Sequence, residues 1–362
     1  MASERLDDLQ QRTVNDAVSE RYAEGANAVQ PELCCPVDYD ARYLKVLPEE
    51  VLERDYGCGD PSQHLKPGET VLDLGSGGGK ICYIASQVVG PEGHVIGVDM
   101  TPDMLDLARR HKDAVAEKIG WSNVDFRRGN IENLLLDLDR LDAWLAEHPV
   151  QDVAGYEAMQ AEIERLGREE PMVQDASIDV VVSNCVLNLV APELKRQMFE
   201  EIFRTLKPGG RAVISDIVSD REVPLELQQD ADLWSGCISG AFEEQAFLEA
   251  FLEAGMEDVQ VLTRQAEAWQ VVDGIEFRSM TVVAYRPLEP SCCEAGGEVM
   301  YHGPFAEIAD DAGNLYRRGE RTKVDAKEFQ KFAAEPFVGL FTRFDAEGAA
   351  LGDQPASEGG CC

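Results

Sequence analysis

Three cysteines of this chain lie in segments that would leave a thiol open to chemistry. Cys58 and Cys237 lie between small residues, in "RDYGCGDP" and "LWSGCISGA", and Cys185 directly follows the apolar run of "VVVSNCVLNL". A thiolate is a soft nucleophile and ligand that selects soft partners over hard ones. By contrast, Cys82 in "KICYIA" has bulky apolar neighbours typical of a buried core thiol. Taken alone, Cys185 would also be interpreted as a core thiol, so its role depends on what the fold places around it.

The other cysteines fall into adjacent pairs. Six of the ten form the pairs 34–35, 292–293 and 361–362, and no two are spaced as CxxC. The chain is too long and too poor in cysteine for a secreted disulfide scaffold, and the absence of CxxC weakens the case for a standard zinc site. We therefore expect mostly free thiols in a reducing compartment.

The overall charge argues against one class of partner. The chain has 68 acidic and 33 basic residues, a formal net charge of −35, which repels phosphate backbones, so we expect no nucleic-acid partner. No apolar run approaches the roughly 18 residues of a membrane helix. The N-terminus, "MASERLDDLQ", is polar and charged, unlike a secretory signal. These features predict a cytoplasmic protein that does not enter the membrane.

Around the cysteines, the chain alternates between strands and helices. Strands are predicted within 69–80, 93–100, 124–130, 177–184, 211–216, 257–263 and 278–286, and helices over 80–89, 101–119, 192–206 and 243–255. This alternation predicts an α/β fold, a Rossmann-like sheet with helices on both faces. Ligands of such sheets bind beyond the carboxyl ends of the strands. A glycine-rich turn, Asp99, Asn130 and Cys185 all follow strands, so we expect them at one edge of the sheet.

Three further regions surround this core. Residues 132–172 show two helical periodicities, which predict an inserted helical hairpin that acts as a lid or an interface. Residues 287–362 form a small C-terminal domain, in which two short strands flank the turn "DDAGN" and a flexible Cys-Cys tail follows. Residues 1–64 form a helical, thiol-bearing N-terminal region, which leaves 65–286 as the central domain.

The segment "DLGSGGG" carries the strongest cofactor signal. Its glycines allow the backbone to approach a ligand closely, but Lys80 breaks the G-x-G-x-x-G dinucleotide fingerprint. Asp73 precedes the first glycine by two residues, and Asp99 ends the next strand, where a carboxylate could bind both hydroxyls of a ribose. Together with "GNIENL", this arrangement resembles the class I S-adenosylmethionine-dependent methyltransferases over residues 65–286.

That resemblance implies a set of residues that bind S-adenosylmethionine. The turn would cradle the methionine part and the ribose, Asp99 would hold the ribose hydroxyls, Met100 would pack on the adenine, and the segment after the third strand would flank the adenine edge. The expected set is Asp73, Gly75, Ser76, Gly77, Gly79, Asp99, Met100, Asn130, Ile131 and Asn184. The alternative is that Asp73 only caps a turn that the glycines permit.

The position after the fourth strand favours a soft substrate. Oxygen and nitrogen substrates commonly need a general base near the site, but none of the five histidines follows that strand, whereas Cys185 does. Trivalent arsenic is a soft centre that binds three thiolates and keeps a lone pair. Because that lone pair is itself the nucleophile, arsenic would need no base.

Four segments together resemble the arsenite methyltransferases: "DYGCG", "VLDLGSGGGKICYIASQVVGPEGHVIGVDM", "SNCVLNLV" and "LWSGCISGA". The resemblance implies that Cys58, Cys185 and Cys237 bind trivalent arsenic, delivered as arsenite or its glutathione adduct. It also implies that Cys34 or Cys35, in "ELCCPVDY", pairs with Cys58 as a disulfide during turnover. Glutathione or thioredoxin would then reduce that disulfide.

The chain departs from that family in places, and other functions stay open. It has two adjacent upstream cysteines, a long insertion, and a tail whose Cys361 and Cys362 either capture arsenic or are incidental thiols. One alternative is a methyltransferase of a small organic substrate with structural cysteines. Another is an arsenic-sequestering or sensing protein without catalysis, against which the intact "DLGSGGG" and Asp99 argue.

Overall fold

The computed structural model describes residues 18, 21–26, 37, 39–54, 56–288, 296–345 and 347–351. The chain divides into two compact units, Met1–Ala284 and Tyr285–Cys362. No helix among the described residues is long and apolar enough to cross a membrane. Helices of the first unit are α1 Ala41–Leu44, α2 Glu49–Glu53, α3 Lys80–Val89, α4 Pro102–Ile119, α5 Leu138–Glu147, α6 Val153–Glu169, α7 Pro192–Thr205, α8 Leu225–Gln228, α9 Ala231–Ser235 and α10 Glu244–Glu253.

A nine-stranded sheet forms the centre of the first unit. Its strands are β1 Thr70–Leu74, β2 His94–Asp99, β3 Val124–Arg128, β4 Ile178–Asn184, β5 Leu206–Ser219, β6 Phe242–Glu243, β7 Glu257–Arg264, β8 Gln270–Val272 and β9 Ile275–Tyr285. The order is β3-β2-β1-β4-β5-β9-β7, with β6 beside β5 and β8 beside β9. Strands β3, β2, β1, β4 and β5 are parallel to one another. The predicted α/β sheet is therefore confirmed.

The strand order reverses between β1 and β4, which are neighbours in the sheet. In open α/β sheets such a reversal leaves a crevice beyond the carboxyl ends of the two strands. Strand β1 ends directly before the glycine-rich turn, and β4 ends at Asn184. The reversal therefore brings that turn and Cys185 to the same edge.

The apolar runs seen in the sequence form the interior of the sheet. Val71, Leu72 and Leu74 in β1 are fully buried, as are the valines of β4. Strands covered on both faces need such continuous apolar runs instead of an alternating pattern. Each fully buried aliphatic side chain contributes roughly 1.5–3 kcal/mol of burial free energy, which makes this central sheet a rigid base for the residues at its edge.

Strand β5 begins earlier than the sequence pattern predicts. It starts at Leu206, immediately after α7, although "KPGG" signals a turn and the strand was predicted from residue 211. Ile178 pairs with Leu206 and Val180 with Arg211, so β5 carries extra residues opposite β4. Gly209, at φ 78°, lies within this irregular stretch. A β-bulge thus accommodates the glycines that would otherwise end the strand.

Two helices, α5 and α6, lie in the inserted segment. Asp137 and Asp152 cap their N-termini through side-chain acceptors. Arg165 bonds to Glu162 and Glu170 on the exposed surface, where such ion pairs contribute little to stability.

The second unit is a small antiparallel assembly with its own aromatic core. Its elements are β10 Gly297–Tyr301, β11 Glu307–Ala309, β12 Leu315–Arg317, β13 Arg321–Val324, α11 Ala326–Lys331, β14 Phe341–Phe344 and β15 Ala350–Leu351. The strand order is β13-β10-β14-β15, and β11 pairs with β12 around "DDAGN". Tyr316, Phe332 and Phe341 pack together. The Cys-Cys tail at 361–362 and the pair 292–293 lie outside the described residues.

Candidate active site

One cavity lies at the carboxyl edge of β1, β2 and β4. Nearly all the residues predicted to bind a cofactor line it: Asp73, Gly75, Ser76, Gly77, Asp99, Met100, Asn130, Ile131 and Asn184. Gly79 does not line it. Instead, Gly79 caps α3 at φ 85°, and a Cβ there would lie 2.7 Å from Phe126 Cζ, so its lack of a side chain serves packing.

Asp99 organises the glycine-rich turn as well as lining the cavity. Its carboxylate accepts hydrogen bonds from Gly77 N at 2.8 Å and from Thr101 N at 2.8 Å. Burial raises the pKa of Asp99 above its usual value. Gly77, at φ 50°, adopts a left-handed conformation that favours glycine. The carboxylate is therefore held rigidly by backbone N–H groups at the cavity wall.

Ser76 and Met100 offer complementary contacts in the same cavity. Ser76 Oγ is buried and has no hydrogen-bond partner among the described residues. A buried hydroxyl without a protein partner is expensive unless a ligand or water bonds it. Met100 is 40% exposed despite its apolar side chain, so it can pack on a flat apolar ligand.

Cys82 is the core thiol that its neighbours predicted, and it orients Asp73. Its Sγ donates to Asp73 Oδ2 at 3.2 Å, and both residues are buried. Burial and the Asp73 charge raise the pKa of Cys82 well above its usual value. Cys82 is thus a protonated structural thiol.

The three cysteines predicted to act together lie together. Cys58 and Cys185 form a disulfide with a Cα–Cα distance of 5.8 Å, and they are 127 residues apart in sequence. Cys237 Sγ donates a hydrogen bond to Cys185 O at 3.1 Å. Cys34 and Cys35 lie outside the described residues, so their predicted pairing with Cys58 stays a prediction, and Cys185 is the partner of Cys58 here.

Tight turns present two of these thiols. Cys185 and Cys237 both have φ 61°, an uncommon conformation for a residue with a side chain. Cys185 N donates to Ser215 O at 2.8 Å, which holds the turn after β4 against β5. Such left-handed residues persist only where surrounding contacts enforce them, and they concentrate at functional sites.

Sequence reasoning missed a buried carboxylate next to the thiols. A carboxylate oxygen of Asp216 and the Sγ atoms of Cys58 and Cys185 all lie within 4.8 Å of one another. Asp216 accepts from Leu187 N at 2.9 Å and Ile217 N at 2.8 Å. Burial raises its pKa to about 6. The available signal was an acid near the carboxyl end of a predicted strand, the same signal that identified Asp99.

Two other residues near the thiols, Tyr22 and Lys195, belong to no recognisable sequence motif. Tyr22 lines the cavity, and its hydroxyl lies 3.7 Å from Cys237 Sγ. Burial, and then the neighbouring Cys237, raise the pKa of Tyr22 well above its usual value. Lys195 is partly buried, donates to Gly240 O, and its Nζ lies 3.9 Å from the centre of the Phe242 ring.

Comparisons with known proteins agree with this geometry. A methyltransferase-domain family matches residues 65–171 and 150–255, and a domain family of unknown function matches residues 289–358. The arsenite methyltransferase of Aquipseudomonas alcaligenes is 34% identical over 80% of this chain and 77% of its own length. The human arsenite methyltransferase is 33% identical over 78% of this chain and 68% of its own.

Two further comparisons bear on the arrangement. The arsenite methyltransferase of Halobacterium salinarum is 40% identical over 64% of this chain, but the match spans only 50% of that relative. The crystal structure of an arsenic(III) S-adenosylmethionine methyltransferase from Chlamydomonas reinhardtii superposes with a TM-score of 0.58. The two sequences are 27% identical, and the superposition covers 88% of this chain and 99% of the other.

Proposed function

The chain belongs to the arsenite methyltransferase family, and we propose that it transfers the methyl group of S-adenosylmethionine to trivalent arsenic bound by Cys58, Cys185 and Cys237. One observation carries the proposal: three thiols from distant parts of the chain meet at the switch point of the sheet, next to the cavity. Cys185 itself lines that cavity, so it connects the two halves of the site.

The cavity fits S-adenosylmethionine in its chemistry. Asp99 offers a fixed carboxylate to ribose hydroxyls, Ser76 offers a buried hydroxyl that has no partner among the described residues, and Met100 offers an apolar surface. The glycine-rich turn leaves room beside Gly77, where a Cβ would meet nothing within 4 Å. When bound, S-adenosylmethionine supplies an electrophilic methyl group on a sulfonium.

The thiols would capture and orient the arsenic. Each thiolate replaces one oxygen or thiol ligand of the arsenite species, and the thiol proton leaves with the displaced ligand. Trivalent arsenic with three sulfur ligands keeps a lone pair that can form the new bond to carbon. No histidine is among the described residues that line the cavity. The contribution of the protein would then be mainly proximity and alignment.

The disulfide suggests how the thiols take part in redox chemistry. Methyl transfer formally oxidises arsenic by two electrons, and joining two thiols as a disulfide releases two electrons that return arsenic to the trivalent state. Cys58 and Cys185 are close enough to form that bond. We propose that an external thiol, glutathione or thioredoxin, then reduces the disulfide by exchange. A reducing cytoplasm supplies such thiols, which supports that location for the protein.

The test is arsenic speciation. We would incubate purified protein with arsenite, glutathione and S-adenosylmethionine, and separate the arsenic species by chromatography with elemental detection. Cys185→Ser and Cys237→Ser should each abolish methylated arsenic, because each removes one sulfur ligand. Both should still bind S-adenosylmethionine, and Cys82→Ser should keep the arsenite affinity of the native protein, because its thiol lies outside the cluster. Wild-type protein that binds S-adenosylmethionine but yields no methylated arsenic would overturn the proposal and favour an organic substrate.

A further inference from the structure

Asparagines flank Cys185 on both sides in "SNCVLN", and each reaches the turn of a different cysteine. We propose that Asn184 and Asn188 are positioning residues that hold the Cys58 turn and the Cys237 turn against Cys185. The three thiols would thereby be set at the spacing that one arsenic atom requires. This inference rests on the proposed arsenic site, although part of its test does not require arsenic.

Asn184 is bonded to the backbone on either side of the Cys58 thiol. Its Oδ1 accepts from Cys58 N at 2.9 Å and from Gly59 N at 3.0 Å. Its Nδ2 donates to Gly59 O at 2.7 Å and to Tyr39 OH at 3.2 Å. A side-chain amide can accept two hydrogen bonds and donate two, so these four contacts use its full capacity. Asn184 also lines the cavity, so its predicted contact with the cofactor stays a prediction beside this role in the Cys58 turn.

The small neighbours of Cys58 make this contact possible. A Cβ at Gly57 would lie 2.1 Å from Asn184 Nδ2, and a Cβ at Gly59 would lie 2.5 Å from Ser215 Oγ. Atoms that are not bonded cannot approach so closely, so only glycine lets the turn settle on the ends of β4 and β5. The glycines that first suggested an accessible thiol therefore serve to bring the backbone close to Asn184.

Asn188 makes the corresponding contact with the Cys237 turn. It is fully buried, and its Nδ2 donates to Cys237 O at 3.2 Å and to Ile217 O at 2.6 Å. A Cβ at Gly240 would lie 2.0 Å from Asn188 O, so a glycine again permits the close approach. Asn184 thus holds the Cys58 turn, and Asn188 holds the Cys237 turn.

Positioning matters here because three ligands must converge on one atom. The Cys58 and Cys237 turns are not parts of regular strands, so the hydrogen bonds of Asn184 and Asn188 add to apolar packing in holding them. Side chains that lock a ligand's orientation typically change metal affinity by about 10–100-fold. Each asparagine should therefore affect arsenic binding only through the cysteine whose turn it holds.

That dependence gives a crossed test on fully reduced protein. We would measure arsenite affinity by calorimetry for Asn184→Ala and Asn188→Ala, each in the wild-type, Cys58→Ser and Cys237→Ser backgrounds. We expect Asn184→Ala to weaken binding about tenfold in the wild-type and Cys237→Ser backgrounds, and less than about twofold with Cys58→Ser. Asn188→Ala should show the opposite dependence, with its effect lost in the Cys237→Ser background.

Asn123 supplies a matched control. It is as buried as Asn184 and donates to Gly90 O and Gly93 O at 2.8 and 2.9 Å, far along the chain from the thiols. Asn123→Ala should lower the melting temperature while leaving arsenite affinity within about twofold in every background. If an alanine variant does not fold, the shorter polar substitution Asn184→Ser or Asn188→Ser takes its place in the same cycle.

A second readout separates this inference from the proposed function. In a fixed glutathione redox buffer without arsenic, Asn184→Ala should slow formation of the Cys58–Cys185 disulfide about tenfold, and Asn188→Ala should change it less than about twofold. If the native protein binds no arsenite, the proposed function fails while this rate still tests the asparagines. Equal losses for Asn184→Ala in both cysteine backgrounds, or an unchanged rate of disulfide formation, would overturn the inference.

Discussion

The cofactor edge and the thiol cluster are adjacent but are assembled in different ways. The cofactor edge combines the segments that follow β1, β2 and β3, and the turn after β1 is closed by hydrogen bonds from Gly75 N and Ser76 N to Val98 O on the neighbouring strand. The thiol cluster joins turns that are 127 and 52 residues apart in sequence. In the first, each of these segments directly follows a parallel strand, whereas Cys58 and Cys237 lie in turns outside the parallel strands.

The two regions also bury different sets of polar groups. The cofactor edge leaves Ser76 Oγ without a partner among the described residues, so part of its hydrogen bonding is left for a ligand. On the thiol side Asp216 accepts hydrogen bonds from Leu187 N and Ile217 N, and Asn188 Oδ1 and Ser239 Oγ are buried without a partner among the described residues. A change on one side should therefore leave binding on the other side nearly intact.

The largest effect should come from Gly57→Ala, which tests whether the thiol cluster depends on close approach. The added Cβ would lie 2.1 Å from Asn184 Nδ2 and must push the Cys58 turn away. We expect arsenite affinity to fall about a hundredfold, or about 3 kcal/mol, with S-adenosylmethionine affinity nearly unchanged. Calorimetry with each ligand measures both quantities.

Gly77→Ala is the matched glycine substitution on the cofactor side. A Cβ there meets nothing within 4 Å, but φ is 50°, so the cost is conformational, roughly 1 kcal/mol. Arsenite affinity should stay within about twofold of the native value. A comparable loss of arsenite affinity in both alanine variants would show that the two regions are one coupled structure.

Asp99→Ala should give the next largest effect, and on the opposite ligand. It removes the carboxylate that is proposed to hold the ribose and that fixes Gly77 N. S-adenosylmethionine affinity should fall about thirtyfold, or about 2 kcal/mol, while arsenite binding persists. Asp103→Ala is the control, since this acid is exposed on the first turn of α4. Weaker arsenite binding in Asp99→Ala would contradict the separation.

The smallest expected effect concerns the charge of Lys195, which interacts with Asp216 and Cys237. Burial lowers the pKa of Lys195 from its ordinary 10.5 to about 8. Between about pH 8 and pH 10 the unfolded chain therefore binds more protons than the folded one, and wild-type stability rises with pH across that window. Lys195→Met does not titrate there. It should be about 1 kcal/mol more stable than wild type at pH 7, because the removed burial cost exceeds the lost bond to Gly240 O.

Urea unfolding at pH 7 and pH 10 measures that difference. The advantage of Lys195→Met should disappear at the higher pH, where the buried amine of the wild type is neutral and its burial cost is gone. A stability difference that stays constant from pH 7 to pH 10 would mean that Lys195 remains charged in the folded protein throughout.

The same contrast explains what the sequence could predict. The buried strands can be predicted because parallel strands need unbroken apolar runs. The turn after β1 can be predicted because its glycines and Asp73 lie in one short segment. Placement of Cys58, Cys185 and Cys237 was also predicted, but through a resemblance to a family. Spacing alone leaves Cys185 as an ordinary core thiol.

The residues that sequence reasoning missed act through distant contacts. Asn188 lies within a segment that was singled out, yet its hydrogen bonds go to Ile217 and Cys237, which no local pattern links to it. Asp216 lies at the same edge of the sheet as Asp99, but it belongs to no motif that the sequence analysis singled out. Asn184 was predicted to bind the cofactor, and only its hydrogen-bond partners indicate its role at the Cys58 turn.

The bond between Cys58 and Cys185 ties together chain segments separated by 127 residues. Closing a loop of that length restricts the unfolded chain and stabilises the folded protein by about 5 kcal/mol in the chain-entropy treatment. In the reduced protein, the arsenic atom that we propose both sulfurs bind would close the same loop. Binding of substrate and folding of the chain then become one linked equilibrium, so that thermal stability of the reduced enzyme reports how much of it is loaded.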